Sequence, residues 1–305
     1  MSLSKRYRPK SLEKMAGNKS TLLAVEKILD RMDENLPHAF LISGPSGTGK
    51  TTLARIIAGA LDSHGMDYQE LDTADFRGID TIRSIRQQMA FRPMESKRRV
   101  WLLDECHQIT KDGQEALLKA LEEAPAHAFF ILATTDPDKL KPTLKRRCVH
   151  LTLSLLSEEG LLRFLAGVLA SEKKEVPEEV LRQIAQDSLG SPGVALSILE
   201  KVVDLPLEKM LRVAKQTAEK QNEAIALARL LFRAKLKNWK EVAELIKTID
   251  AEPESLRRLV LAYCSTILLG GDQPRAYVVM DSFKQPFFDD GKARLIMACY
   301  EVCNQ

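Results

Sequence analysis

Three short stretches carry residue types suited to phosphoryl chemistry, and they occur in a telling order. "GPSGTGKT", residues 44–51, fits G-x-x-x-x-G-K-[ST] between an apolar run and a helical pattern. There the backbone N–H groups of Gly44, Pro45, Ser46, Gly47, Thr48 and Gly49, proline's missing donor excepted, can curl around phosphate oxygens at a helix N-terminus, with Thr52 just beyond. Lys50 is placed to reach the terminal phosphates and the Thr51 hydroxyl to ligate magnesium, so ATP and Mg2+ are the expected cofactors.

"VWLLDECH" ends an apolar run in Asp104 and Glu105, the place where ligands collect in open α/β sheets. Asp104 is expected on the metal and Glu105 beside the attacking water as its base, which predicts hydrolysis as well as binding. "LATTD" closes the next run with Thr134 and Thr135, hydroxyls able to sense a terminal phosphate. "TLKRRC" crowds Lys145, Arg146 and Arg147 before a further apolar run. Alone it reads as a solvated loop; downstream of a phosphate loop it is the best-placed arginine finger, acting in cis or in trans.

The elements that must position these groups are visible as alternating patterns. Apolar runs at 39–44, 68–73, 99–105, 128–136 and 149–153 alternate with helical segments, predicting a parallel sheet covered on both faces. In "GQEALLKALEEA", Leu117, Leu118 and Leu121 share one stripe, as a covering helix requires. From Ser157 the pattern is helical only: three short helices in 157–204, then, past a break at Pro206, an all-helical remainder with "LARLLFRAKL" and "LRRLVLAYCSTILL" most apolar and "GGDQP" as a turn. The fold class is α/β followed by all-α, with boundaries at 1–155, 156–205 and 206–305.

A formal net charge of +3 over 305 residues ties any nucleic-acid contact to a local patch. Cys106, Cys148, Cys264, Cys299 and Cys303 form no CxxC pair and no Cys/His cluster, so neither a zinc site nor a disulfide framework is expected, and Cys299 with Cys303 reads as two small buried residues on one helix face. The N-terminus lacks the apolar core of a signal peptide and no apolar run approaches 18 residues, so a soluble cytoplasmic protein without membrane contact is expected.

With the phosphate loop, "LLDECH", "LATTD" and "KRRC" in this order, residues 4 to about 200 resemble the AAA+ ATPases of sliding-clamp loaders, notably the gamma/tau subunit of bacterial DNA polymerase III and the small subunits of replication factor C. "KRYRPKSLEKMAGN" is similar to that family's segment beside the adenine, which implies nucleotide contacts for Tyr7, Arg8 and Pro9. "ALLKALEEAPAHAFFILATTDPDKLKPTLKRRC" looks like the gamma/tau pattern almost position by position. The resemblance implies an AAA+ P-loop domain, a three-helix lid domain and a helical oligomerisation collar, in a five-subunit assembly with ATP between neighbours and Arg147 reaching the next subunit's γ-phosphate. It implies catalytic roles for Lys50, Asp104, Glu105, Thr135 and Arg147, and partners in other clamp-loader subunits, a sliding clamp and primer-template DNA. Arg83 and Lys111, both at helix starts, are the candidate DNA phosphate contacts.

The chain departs from the family in three ways. Arg146 replaces the serine of Ser-Arg-Cys; the family's zinc-binding cysteines are missing, as in a compact phage or replication factor C type subunit; and Gly193 in "GSPGVAL" stands where an arginine normally meets the nucleotide, as in the delta-prime subunit. The expected function is an ATPase that loads a processivity clamp onto primed DNA. The alternatives are a stator-like scaffold that binds nucleotide with little hydrolysis, and another AAA+ DNA remodeller such as a branch-migration motor.

Overall fold

The computed structural model describes residues 2–31, 35–73, 75, 78–234, 238–271, 273–287 and 291–305, with backbone alone at 220 and 221. Lys235 and Leu236 of the "LARLLFRAKL" stretch, and Asp272 of the "GGDQP" turn, lie outside the described residues. The chain divides into two compact units, Lys5–Leu156 and Met1–Ser4 with Ser157–Gln305.

The first unit is built on β1 (Ala39–Ser43), β2 (Tyr68–Asp72), β3 (Arg99–Asp104), β4 (Ala128–Thr134) and β5 (Val149–Thr152). They form one sheet in the order β2-β3-β4-β1-β5, every neighbouring pair parallel. Strands buried on both faces need apolar side chains at every position, and β4 is buried throughout. The single turn α1 (Leu3–Arg6) straddles the division at Lys5, and the helices of this unit are α2 (Lys19–Leu29), α3 (Lys50–Ala60), α4 (Ile79–Gln88), α5 (Lys111–Glu122) and α6 (Pro142–Arg146). Leu22 and Val25 of α2 and Leu53 and Ile57 of α3 pack on Phe40, Ile42, Leu102 and Ile131. Ile82 and Ile85 of α4, Leu117 of α5 and Leu144 of α6 pack on the other face, against Leu41, Trp101, Leu103 and Phe130. This period-two alternation along each strand makes three layers from a single sheet.

The strands end short of the apolar runs. Gly44 takes φ +151° and Glu105 takes φ +48°, so the chain turns out of the sheet at the residues expected to do chemistry. At the opposite edge, buried Asp67 pins the segment leading into β3: its carboxylate accepts from the backbone N–H groups of Met94, Glu95 and Ser96 at 2.8–3.0 Å and from Arg99 Nη2 at 2.9 Å.

The second unit is helical, with α7 (Glu158–Glu172), α8 (Glu178–Asp187), α9 (Pro192–Val202), α10 (Leu207–Gln221), α11 (Glu223–Arg233), α12 (Trp239–Thr248), α13 (Pro253–Gly270), α14 (Pro274–Ser282) and α15 (Gly291–Asn304). Ser157 caps α7 by accepting from the Gly160 N–H, and Ser191 caps α9 from the Val194 N–H. Pro206 is the cap position of α10, and α10 packs on both α8 and α9, so helices from both sides of Pro206 share this unit. Asp187 of α8 accepts from Arg229 Nη2 of α11 at 2.6 Å and from the Tyr263 hydroxyl of α13 at 3.3 Å, a buried pair whose charges are paired and hydrogen-bonded. Cys299 and Cys303 are both buried on α15. Among the described residues no helix is long and apolar enough to cross a membrane, and no group of three His, Cys, Asp or Glu is placed to hold a metal ion.

Burial alone would raise the Asp67 carboxyl, but the N–H groups of Glu95 and Met94, Arg99 and the Ser96 N–H together hold it down to about 2. A folded pKa below the unfolded one stabilises fully above about pH 4 and fades as pH falls toward 2. The melting temperature is therefore expected to drop across that window, and Asp67→Asn to flatten that part of the profile while lowering neutral-pH stability by about 3 kcal/mol. Thermal unfolding against pH, for both proteins, checks this.

Candidate functional site

The phosphate loop leaves β1 at the carboxyl edge of the sheet. Gly44 is required there: at φ +151° a Cβ would sit 2.2 Å from the Leu153 carbonyl oxygen. Gly49 at φ +95° caps the start of α3, whose first-turn N–H groups form the positive, anion-binding end of the helix dipole. Thr48 Oγ1 donates to the Pro45 carbonyl at 2.9 Å and closes the loop on itself. Lys50 is buried, and its Nζ donates to the carbonyls of Gly44 and Pro45 at 2.9 and 3.1 Å. Burial pushes its pKa down, while Glu105 and Asp104 act to keep it charged. Met15 lies 3.4 Å from the position of a Cβ on Gly49, so the N-terminal segment laps over the loop.

The acidic strand meets that loop. Thr51 Oγ1 donates to Asp104 Oδ2 at 2.8 Å, which places two hard oxygen ligands side by side beneath the phosphate cradle, the donor set that suits Mg2+. Asp104 Oδ1 accepts from the Glu105 N–H at 3.0 Å. Glu105, in the left-handed region, carries its carboxylate away from Asp104 toward β4, where Oε2 accepts from the Thr135 hydroxyl at 3.0 Å and its N–H at 3.3 Å. Left-handed backbone at a non-glycine residue is uncommon and collects at functional sites.

Lys50, Thr51, Asp104, Glu105 and Thr135 thus come together at one edge of one unit. Thr135 touches Glu105, a contact not expected of a phosphate sensor, because β4 lies directly beside β3 and runs one residue past its end. Thr134 is fully buried, its Oγ1 accepting from the Asp136 N–H at 3.0 Å and lying 3.1 Å from His107 Nδ1.

Arg147 lies elsewhere. It follows α6 and precedes β5, whose Val149 pairs with Phe40 at the start of β1, so it stands at the amino edge of the sheet. Four residue-to-residue steps of strand take the chain from Phe40 to Gly44, roughly 13 Å at about 3.3 Å per step. Arg147 is exposed and ion-paired with Glu122 of α5 at 2.9 Å, while Lys145 lies 3.7 Å from Asp138. Arg83 is exposed on α4 and bonded to Asp80 at 3.1 Å; Lys111 is the exposed first residue of α5, behind Thr110, which caps the helix from the Gly113 N–H. Arg8 is exposed near β2, where its charge adds to that of Arg55 in holding the Glu70 carboxyl low. Tyr7 and Pro9 are half-buried beside it in the chain.

Two residues at the site escaped the sequence reading. Thr73, buried just after β2, donates its hydroxyl to the carbonyls of Asp104 and Glu105 at 2.9 and 2.7 Å and braces the turn between them. His107 lies 3.3 Å from Glu105 Oε2. The signal for both was position: one residue past β2, and two past Glu105 in a short helical turn.

The fold and this site define an AAA+ nucleotide-binding module. The structure is similar to that of the branch-migration motor RuvB of Thermotoga maritima, with a TM-score of 0.63 at 20% identity over 88% of this chain and 94% of that one, a likeness of fold. By sequence the class narrows. Residues 68–157 match the family described as DNA polymerase III, delta subunit. The chain is 34% identical over 224 residues to DNA polymerase III subunit gamma of Buchnera aphidicola from Schizaphis graminum, covering 67% of this chain and 61% of that protein. It is 33% identical over 226 residues to the gamma/tau subunit of Mycobacterium tuberculosis, covering 67% of this chain and 39% of that protein. The chain spans about three fifths or less of these relatives' length.

Lys50→Ala is expected to weaken nucleotide binding by about 10- to 150-fold, the worth of one charge-assisted hydrogen bond to phosphate. Titration with a fluorescent ATP analogue measures it.

Proposed function

We propose that this protein is an ATPase subunit of a DNA sliding-clamp loader, using ATP binding and hydrolysis to place a processivity clamp on primer-template DNA. The observation that carries the reading is the Lys50, Thr51, Asp104 and Glu105 cluster on the sheet edge of a chain related to gamma subunits. Lys50 leaves the loop carbonyls for the β- and γ-phosphates when ATP enters, and Thr51 with Asp104 would hold magnesium. The ion would supply neutralising charge at the phosphates. Glu105 takes the proton of the attacking water, and Thr135 turns its hydroxyl from Glu105 to the terminal phosphate.

Arg147 supplies the finger in trans. A cation a strand's length from its own phosphate loop cannot lean on its own γ-phosphate, whereas its exposure suits a neighbour's. Around this core the reading assigns Tyr7, Arg8 and Pro9 to the adenine side, residues 156–205 to the lid, 206–305 to the oligomerising collar, and Arg83 and Lys111 to DNA phosphates. The assembly is a hetero-pentamer with a core of this subunit, working in the cytoplasm with the clamp and primed template. Gly193 leaves the lid without the usual arginine, so Lys50 and the trans finger carry the cationic grip on the phosphates.

A stator-like scaffold or a branch-migration motor is not favoured: the similar relatives by sequence are gamma and gamma/tau subunits, and the RuvB likeness is one of fold. Glu105→Gln is expected to lower ATP turnover by about 10²- to 10⁴-fold while nucleotide binding persists. In the intact protein, turnover is expected to rise when clamp and primed DNA are added together; a rate indifferent to both would count against clamp loading.

A further inference from the structure

We infer that His107 is a positioning residue for Glu105, holding its carboxylate ready for the attacking water when Thr135 turns to the phosphate. The inference rests on Glu105 being the base. His107 sits two residues past Glu105 in the turn after β3, its side chain only 9% exposed. Its Nδ1 lies 3.3 Å from Glu105 Oε2 and 3.1 Å from Thr134 Oγ1, and its Nε2 lies 3.1 Å from Gln108 Nε2.

These contacts choose the tautomer. Nδ1 faces the Glu105 carboxylate, which can only accept, so the ring proton resides on Nδ1 and Nε2 is left to accept from the Gln108 amide. Nδ1–H then faces two oxygens, the buried Thr134 hydroxyl and the Glu105 carboxylate. Thr134 in turn accepts from the Asp136 N–H, which fixes that hydroxyl at the end of β4. Gln108, His107, Thr134 and Asp136 form a short relay that anchors the ring to β4.

The anchor matters because Glu105 has a competing partner. Lys50 is close enough for the two charges to influence each other, and burial strengthens such attraction. In the present arrangement two donors hold Glu105 Oε2, the Thr135 hydroxyl and the Thr135 N–H, and His107 Nδ1 stands 3.3 Å away while hydrogen-bonded to Thr134 Oγ1. When the Thr135 hydroxyl is drawn to a terminal phosphate, His107 is the side chain left beside the carboxylate, with Nδ1 3.3 Å from Oε2. Without it the carboxylate is free to swing toward the lysine, which neutralises the base and pulls Lys50 from the phosphates.

The test compares His107→Ala, His107→Asn, Glu105→Gln and the double variant His107→Ala/Glu105→Gln as full-length proteins, with ATP turnover, nucleotide affinity and melting temperature measured for each. A misplaced base costs roughly 100-fold. His107→Ala is expected to lose about that much in kcat with nucleotide affinity retained, His107→Asn to recover most of it through its side-chain amide, and the double variant to be no slower than Glu105→Gln alone. If Glu105→Gln is inactive while His107→Ala turns over at the parent rate, the positioning role is overturned and the base assignment stands. Full turnover in Glu105→Gln overturns both. A His107→Ala loss that the asparagine fails to restore, accompanied by a lowered melting temperature, assigns the histidine to stability and also overturns the proposal.

Discussion

The hydrogen bond from Thr51 to Asp104 is the contact on which the site turns. It joins the start of α3 to the end of β3, two elements whose strands are not neighbours, since β4 lies between β1 and β3. Only a parallel sheet brings the ends of β1, β3 and β4 to one edge, where the helix N-terminus, the acidic pair and the threonines converge. The apolar layers above and below the sheet make that alignment rigid, because a slipped strand would carry its buried face into solvent. Chemistry at this edge is thus a consequence of strand order.

The same order separates what it does not unite. β5 begins at the amino edge, so Arg147 is held a strand's length from the loop that its own chain supplies, with Glu122 neutralising it meanwhile. An exposed arginine in a surface ion pair gives up little on leaving it, since such pairs contribute about 0–1 kcal/mol. On the proposed reading, one protomer carries a cradle, a metal pair and a base at one edge and a finger at the other. That reading makes them complementary halves of one active centre and makes association the switch for turnover.

Much of this was legible in the chain. The central strands β1, β3 and β4 announced themselves because both-sided burial demands unbroken apolar runs, and the phosphate loop because Gly44 and Gly49 occupy backbone conformations that side chains resist. Asp104 and Glu105 were legible for a related reason, as polar residues abruptly ending an apolar run. The contacts of Thr135, Thr73 and His107 were not. Each depends on which strand lies beside β3, and spacing along a chain carries no strand order. Nor did the sequence mark Asp67 as the clamp on the segment before β3, or Asp187 and Arg229 as a buried pair tying α8 to α11, since these join residues 27 to 42 positions apart. Pro206 shows the converse limit: a break in pattern marked the start of a helix, while α10 packs against helices on the near side of that break.

The central claim is that the site is shared between protomers, and complementation tests it most directly. Glu105→Gln protomers lack the base but keep the finger; Arg147→Ala protomers lack the finger but keep the base. Each preparation alone should be nearly inactive, and mixing them should restore ATP turnover, because the first kind lends its arginine to the pocket of the second. If the mixture stays as inactive as its components while still assembling, or if Arg147→Ala alone hydrolyses ATP at the parent rate, the shared-site account is wrong.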